Sequence, residues 1–264
     1  MAAAPSWMAE NCRSSQPGDI LHVVKLATAL IMGGLATSAA ASPELRPRPH
    51  VVIDPGHGGS NPGAKGPGLA EKQLTLAIAT QVGKRLAAHG IDVRLTRTDD
   101  RTLTLRERVG LANRVPADLF ISIHANASPT RSQRGFETFV LTARGIDIDG
   151  RALRSDATTP RPGVDPEIAL VLDDVERGSS QWEAADLAAR MQRALHTRRD
   201  SRPVHDRGVR QDAHHVLLGA TMPAVLVEVG FLDHPIEGRE LANPAVQATI
   251  AHAIAEAIED QLAE

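Results

Sequence analysis

Three short runs in this chain are aliphatic almost without a break. They are Val51-Val52-Ile53, Leu119-Phe120-Ile121-Ser122-Ile123 and Ala224-Val225-Leu226-Val227. A strand with one face in water alternates apolar and polar residues, whereas a strand covered on both faces does not. Runs of this kind confine the chain to a sheet packed between layers. Two further segments read as strands, 91–96 by alternation and 136–141 by its apolar content. Helical patterns lie between them. Residues 71–89 repeat Leu74, Ile78, Val82 and Leu86 on one face and stop at Gly90. Thr104 and Glu107 form a capping box that opens a helix to about 115. Ser180 and Glu183 repeat that spacing before a helix to about 197. Asn243-Pro244 places a cap before a proline at the first helical position, and the stripe Val246, Ile250, Ile254, Ile258 and Leu262 follows. Strands alternating with helices predict an α/β fold: one domain over 50–264, a mixed and mostly parallel sheet, helices on both faces.

The segments around this domain read differently. Lys25 precedes an apolar run at 26–41, and Ala39 and Ala41 supply small residues just before Ser42. Charge, short apolar stretch and small-residue site come in the order of a secretory signal peptide, predicted over 1–41 and cleaved after Ala41. The run is too short to span a bilayer comfortably. Three prolines make 42–49 a linker. Residues 142–180 are polar and proline-rich and read as an insertion with its own short helix, from the Asp165-Pro166 cap to a stop at Gly178.

Composition narrows the chemistry. Four Phe, two Trp and no Tyr leave little for stacking on bases or sugars, and a net charge of −3 offers no basic footprint. Nucleic acid is therefore excluded as a partner. Cys12 is the one cysteine, so any metal site is built from carboxylates and the eleven His. In open α/β sheets ligands collect beyond the C-terminal ends of the strands. The first strand runs into Asp54-Pro55-Gly56-His57-Gly58-Gly59, the second ends in His124-Ala125-Asn126, and the last ends in Glu228. Glu71 opens the first long helix. Two His and a Glu are a common catalytic zinc set that leaves a position for water, and a further Glu serves as general base. Each residue also has a plainer role. His57 suits a turn, Glu71 suits a helix N-terminus, and His124 suits a buried strand end. Glu228, closing an apolar run, needs a partner in any reading. The spacing alone does not assemble a zinc site, because ligands this far apart meet only through the fold.

Taken in order, these pieces resemble the zinc-dependent N-acetylmuramoyl-L-alanine amidases of bacterial cell walls. The resemblance runs from about Val51 to Leu262. It rests on Ile53-Asp54-Pro55-Gly56-His57-Gly58-Gly59, Gly63-Ala64-x-Gly66, Glu71-Lys72, Thr96-Arg97, Arg108, Ser122-Ile123-His124-Ala125-Asn126, Gly135-Phe136-Glu137, Arg207-Gly208-Val209 and Met222 through Glu228 with Gly230-Phe231-Leu232. It implies one zinc ion per chain on His57, Glu71 and His124, with Glu228 catalytic and Asn126 lining the substrate cleft. It implies peptidoglycan as substrate, cut between N-acetylmuramic acid and L-alanine during wall remodelling or daughter-cell separation. The predicted signal peptide implies an exported protein, expected as a monomer and in the periplasm in preference to the external wall. An activator protein would act on the 142–180 insertion, whose 166–177 helix would plug the cleft. Asp54 or a backbone carbonyl would hold an imidazole. The alternatives are a non-catalytic peptidoglycan-binding module and a zinc hydrolase of another amide. Asp233-His234 stands where the family usually has Ser-Asn.

Overall fold

The computed structural model describes residues 48–141, 163, 166–199 and 205–263, with the side chains of 166–177 excepted. The signal peptide and most of the linker and insertion expected above lie outside them.

Six strands form the central sheet in the order β4-β1-β5-β8-β6-β7. They are β1 (His50–Pro55), β4 (Asp92–Leu95), β5 (Leu119–Asn126), β6 (Phe136–Leu141), β7 (Asp206–Asp212) and β8 (Ala224–Phe231). A two-stranded ribbon, β2 (Lys65–Gly66) and β3 (Leu69–Ala70), sits between β1 and the first helix in sequence. The helices are α1 (Glu71–Ala88), α2 (Leu105–Asn113), α3 (Pro166–Arg199), α4 (Glu237–Leu241) and α5 (Pro244–Leu262). All pairings in the large sheet are parallel except β6 with β8. The sheet is thus mixed and mostly parallel, as the aliphatic runs require.

Alternate residues of the central strands enter two separate cores. Val51, Ile53, Ile121, Ile123, Val225 and Val227 pack under α1, α3 and α5. Val52, Phe120 and Leu226 pack on the other face with Ala112 of α2 and with Val216 and Leu217 from the β7–β8 connection. Each such side chain contributes about 1.5–3 kcal/mol by leaving water. The second face is thinner, and it is there that the polar residues of the strand ends collect.

The caps fall where the sequence places them. The Thr104 hydroxyl accepts from the Glu107 amide while the Glu107 carboxylate accepts from the Thr104 amide. Asn243 accepts from the Ala245 amide ahead of Pro244. Three features differ. Gly178 does not end a helix, because α3 continues through it from Pro166 to Arg199. A helical glycine costs about 1 kcal/mol relative to alanine, but it terminates only where the chain turns away. The capping box expected at Ser180 is accordingly absent, and Ser179 Oγ instead donates to Glu183 Oε1 one turn later. The strand β7 and the short helix α4 have no counterpart in the sequence reading.

The Asp233-His234 departure is accommodated by hydrogen bonds. Asp233 Oδ2 accepts from the Ser128 amide at 3.0 Å. His234 Nδ1 accepts from the Ile236 and Glu237 amides at 3.3 and 3.1 Å, capping the start of α4.

Candidate metal centre

The turn after β1 carries His57 with φ +59, a left-handed conformation that costs a non-glycine residue about 1–3 kcal/mol. Two buried arginines hold it. Arg108 donates to the carbonyls of Pro55 at 2.8 Å and His57 at 2.6 Å. Arg97 donates to those of Pro55 at 2.9 Å and Gly56 at 2.8 Å. Every carbonyl from 55 to 57 is therefore clasped by a guanidinium. The charge of Arg108 is met by Asp54, fully buried, at 2.7 Å. Asp54 also accepts from Thr96 Oγ1 and Ser122 Oγ. It fastens the loop through Arg108 and does not hold an imidazole, contrary to the sequence expectation.

Three side chains converge at the C-terminal ends of β1 and β5. Glu71 leaves the first turn of α1 and is 3% exposed. Its Oε1 lies 3.1 Å from His57 Nε2 and 2.9 Å from His124 Nδ1. The Ala125 amide donates to Oε1 at 3.0 Å, and the Ala64 amide donates to Oε2 at 2.7 Å. One donor atom from each of the three residues lies within 4.8 Å of the others. Two glycines make the approach possible. A Cβ on Gly56 would stand 2.4 Å from His124 Cε1, and one on Gly63 would stand 2.4 Å from Glu71 Oε2.

The hydrogen bonding shows what this cluster lacks. Asn61 Oδ1 accepts from the Gly63 amide at 3.1 Å, so that atom is an acceptor, and it lies 3.0 Å from His57 Nδ1. Nδ1 therefore carries a proton, and a neutral imidazole turns the lone pair of Nε2 onto a carboxylate oxygen. Two acceptors face each other at 3.1 Å. Only positive charge reconciles them, either an extra proton or a cation. The titration preferences agree. Burial pulls the His57 pKa down, but the hydrogen bond and charge of Glu71 outweigh it and raise it. Burial pushes Glu71 up, yet its bonds to His124 and His57 drive it far below the ordinary carboxylate range. Two imidazoles and a carboxylate, with no thiolate, suit zinc. Asn61 is the orienting partner of His57 that the sequence reading missed; an Asn four residues after a His in a glycine-rich turn was its available signal.

Glu228 stands beside this cluster. It is in register with His124 across the parallel β5–β8 pair. Adjacent strands are about 4.8 Å apart. Its Oε2 is buried and accepts no hydrogen bond among the described residues. Burial, then the charges of Glu71 and Glu137, raise its pKa well above the ordinary range. Asn126 lies two residues past His124, half-buried, with Nδ2 donating to Glu137 Oε1 at 2.9 Å. Glu137 itself is 3% exposed and in register with Glu228. The remaining His of interest are not part of the cluster. The His205 carbonyl pairs with the Phe136 amide, His214 packs edge-on against Phe139 at 4.5 Å, and His215 is exposed. Trp182, on α3, is 81% exposed.

Residues 51–260 match the family model described as N-acetylmuramoyl-L-alanine amidase. The chain is 36% identical over 217 residues to the N-acetylmuramoyl-L-alanine amidase AmiA of Escherichia coli, covering 79% of this chain and 74% of that one. Among solved structures it resembles the N-acetylmuramoyl-L-alanine amidase AmiC2 of Nostoc punctiforme, with TM-score 0.63 and 30% identity, over 82% of this chain and 98% of that one. It also resembles the N-acetylmuramoyl-L-alanine amidase of Clostridium difficile 630, with TM-score 0.64 and 28% identity over the same shares.

Proposed function

The chain belongs to the N-acetylmuramoyl-L-alanine amidase family, and from that premise we propose how its residues carry the reaction. It is a peptidoglycan hydrolase that cuts the amide between N-acetylmuramic acid and the L-alanine of the stem peptide. The observation that carries the assignment of roles is the convergence of His57, Glu71 and His124 on one point next to Glu228. In this proposal the three hold one zinc ion. A bound zinc ion supplies a Lewis acid that polarises the scissile carbonyl and brings the pKa of water toward neutrality.

The protein's own groups do the rest. Glu71 offsets one unit of cationic charge, and its two amide hydrogen bonds fix it in place. Asn61 holds the His57 tautomer that presents Nε2 to the centre. The Glu228 carboxylate takes the proton of the attacking water. As the C–N bond breaks, Glu228 delivers that proton to the departing nitrogen. The products are the lactyl carboxylate of the sugar and a free L-alanine amine. Its buried, unpartnered oxygen and raised proton affinity suit a group that takes up a proton and releases it again. Asn126, tied to Glu137, lines the cleft beside it.

A binding module would need the cluster or Glu228 to be missing, and both are present. The enzyme acts outside the cytoplasm as a monomer, with the periplasm as its compartment. The insertion regulates access under an activator protein, and removing it raises basal activity. Digestion of purified sacculi tests the central assignment. A new amino terminus on L-alanine supports it; a new amine elsewhere, or none, overturns it.

A further inference from the structure

The strand β8 changes register directly after Glu228. Its pairing with β5 runs unbroken from Ala224 to Glu228, then shifts and resumes at Phe231. One residue of β5 separates His124 from Asn126, while two residues of β8, Val229 and Gly230, separate their partners. The extra residue is a bulge, a rare feature between parallel strands and one that re-aims the side chains beside it. The core records the shift. Val227 and Val229 lie in it, and the next residue to return there is Leu232 rather than Phe231. The antiparallel pairing with β6 also ends at Glu228. Both ladders therefore falter just past the carboxylate.

Backbone groups that leave a ladder need other partners when buried. Here two buried, oppositely charged side chains supply them. Glu237 opens α4 and is 1% exposed. Its Oε2 accepts from the Phe231 amide at 2.9 Å. The same oxygen accepts at 3.0 Å from the Gly135 amide, two residues ahead of Glu137. Arg199, the last residue of α3, donates from Nη1 to the Val229 carbonyl at 2.7 Å. Its Nη2 lies 3.7 Å from Glu237 Oε1, so the two charges offset each other. Gly230 sits between these holds, and a Cβ there would stand 3.1 Å from Glu237 Oε1. Glu228 needs such support. Its Oε2 accepts no hydrogen bond among the described residues, so its direction is set by the backbone that carries it.

We propose that Glu237 is a positioning residue for Glu228: together with Arg199 it pins the bulge and so aims the Glu228 carboxylate at the metal cluster. This rests on the amidase reading, in which Glu228 moves the proton, and assigns a part in it to a buried ion pair outside the cluster.

The test removes the clasp without stranding a charge. Apolar residues of similar volume often replace a buried ion pair with little loss of stability. Glu237→Leu combined with Arg199→Met should therefore melt cooperatively and hold the same zinc per chain as the wild type. On a muramoyl dipeptide its kcat should fall about 100-fold with KM unchanged, the effect of misplacing a reacting group by about 1 Å. Glu237→Gln should stay within about 10-fold of the wild-type kcat, because one oxygen already accepts from both amides. A readout independent of metal and turnover is the zinc-free crystal structure of the double variant, where the Glu228 carboxylate should shift by about 1 Å while β5 stays in place. If the double variant does not fold, Gly230→Ala carries the test through its contact with Glu237; kcat should again fall, by at least about 10-fold, with KM and zinc unchanged. A folded variant with wild-type kcat, a loss carried by KM or by zinc, an unmoved Glu228, or a glutamine variant as slow as the double variant overturns the positioning role. Failure of the wild type to cleave the dipeptide overturns the amidase reading, and the positioning role falls with it.

Discussion

Replacing Gly56 by alanine isolates the placement of one imidazole from everything else in the fold. The added Cβ would stand 2.4 Å from His124 Cε1, 2.5 Å from Nε2 and 2.7 Å from Nδ1. Comfortable contact is about 3.5–4.0 Å, so something must move by about 1 Å. The backbone at Gly56 is held from three sides. Its amide donates to the Ile123 carbonyl at 2.9 Å, and its carbonyl accepts from Arg97 at 2.8 Å and Thr75 Oγ1 at 2.9 Å. The ring therefore yields. A 1 Å misplacement at a reacting centre costs about 100-fold in rate, or about 2.7 kcal/mol. Overpacking should cost about 1–3 kcal/mol of stability, leaving a folded protein. Gly56→Ala should thus melt cooperatively, bind zinc more weakly and cleave muramoyl peptides about 100-fold more slowly. Zinc titration and steady-state kinetics on the same preparation check it. A variant with wild-type zinc affinity and rate would refute the close approach of the loop to His124.

Three other perturbations probe separate parts of the account. Asp54→Asn leaves Arg108 buried without its counter-charge, so urea unfolding should show a loss of about 3–5 kcal/mol; a loss under about 1 kcal/mol would contradict it. Glu228→Gln should retain one zinc per chain by atomic emission while wall digestion falls by at least about 100-fold; near-normal digestion would remove Glu228 from proton transfer. His214 has its pKa lowered from 6.5 by burial, with the Asp212 charge opposing. The native state then binds fewer protons than the unfolded chain as pH drops below 6.5. Stability held above that pH is lost on acidification. His214→Phe should lose less stability than the wild type over that range in parallel denaturant titrations; equal losses would show that His214 does not contribute.

The sequence reveals the buried strands and helices of this fold more readily than its rim. Aliphatic runs announce β1, β5 and β8 because strands covered on both faces carry their burial in every residue. The strand β7 hides because it is an edge, and its sequence Asp-Arg-Gly-Val-Arg-Gln-Asp is mostly exposed. No hydrophobic period marks such a strand; pairing to β6 makes it one. Gly178 misleads for the complementary reason, since local propensity favours a stop that the continuing helix overrides. At the site, His57, His124 and Glu228 are conspicuous because each follows closely on an aliphatic run. Glu71 is ambiguous in sequence, as an acid at a helix N-terminus has an ordinary explanation. The fold turns it toward two imidazoles instead. Arg97 and Arg108 carry no mark of burial in the sequence, yet both are buried. Most of their partners are backbone carbonyls, which no side-chain pattern displays.

The central claim is that three residues brought together by the fold hold one zinc beside Glu228. Anomalous diffraction at the zinc edge, on crystals of active protein, tests it most directly. The account predicts a single strong peak about 2.0–2.2 Å from donor atoms of His57, Glu71 and His124. An active protein with no peak there, or with its zinc held by other residues, would contradict it.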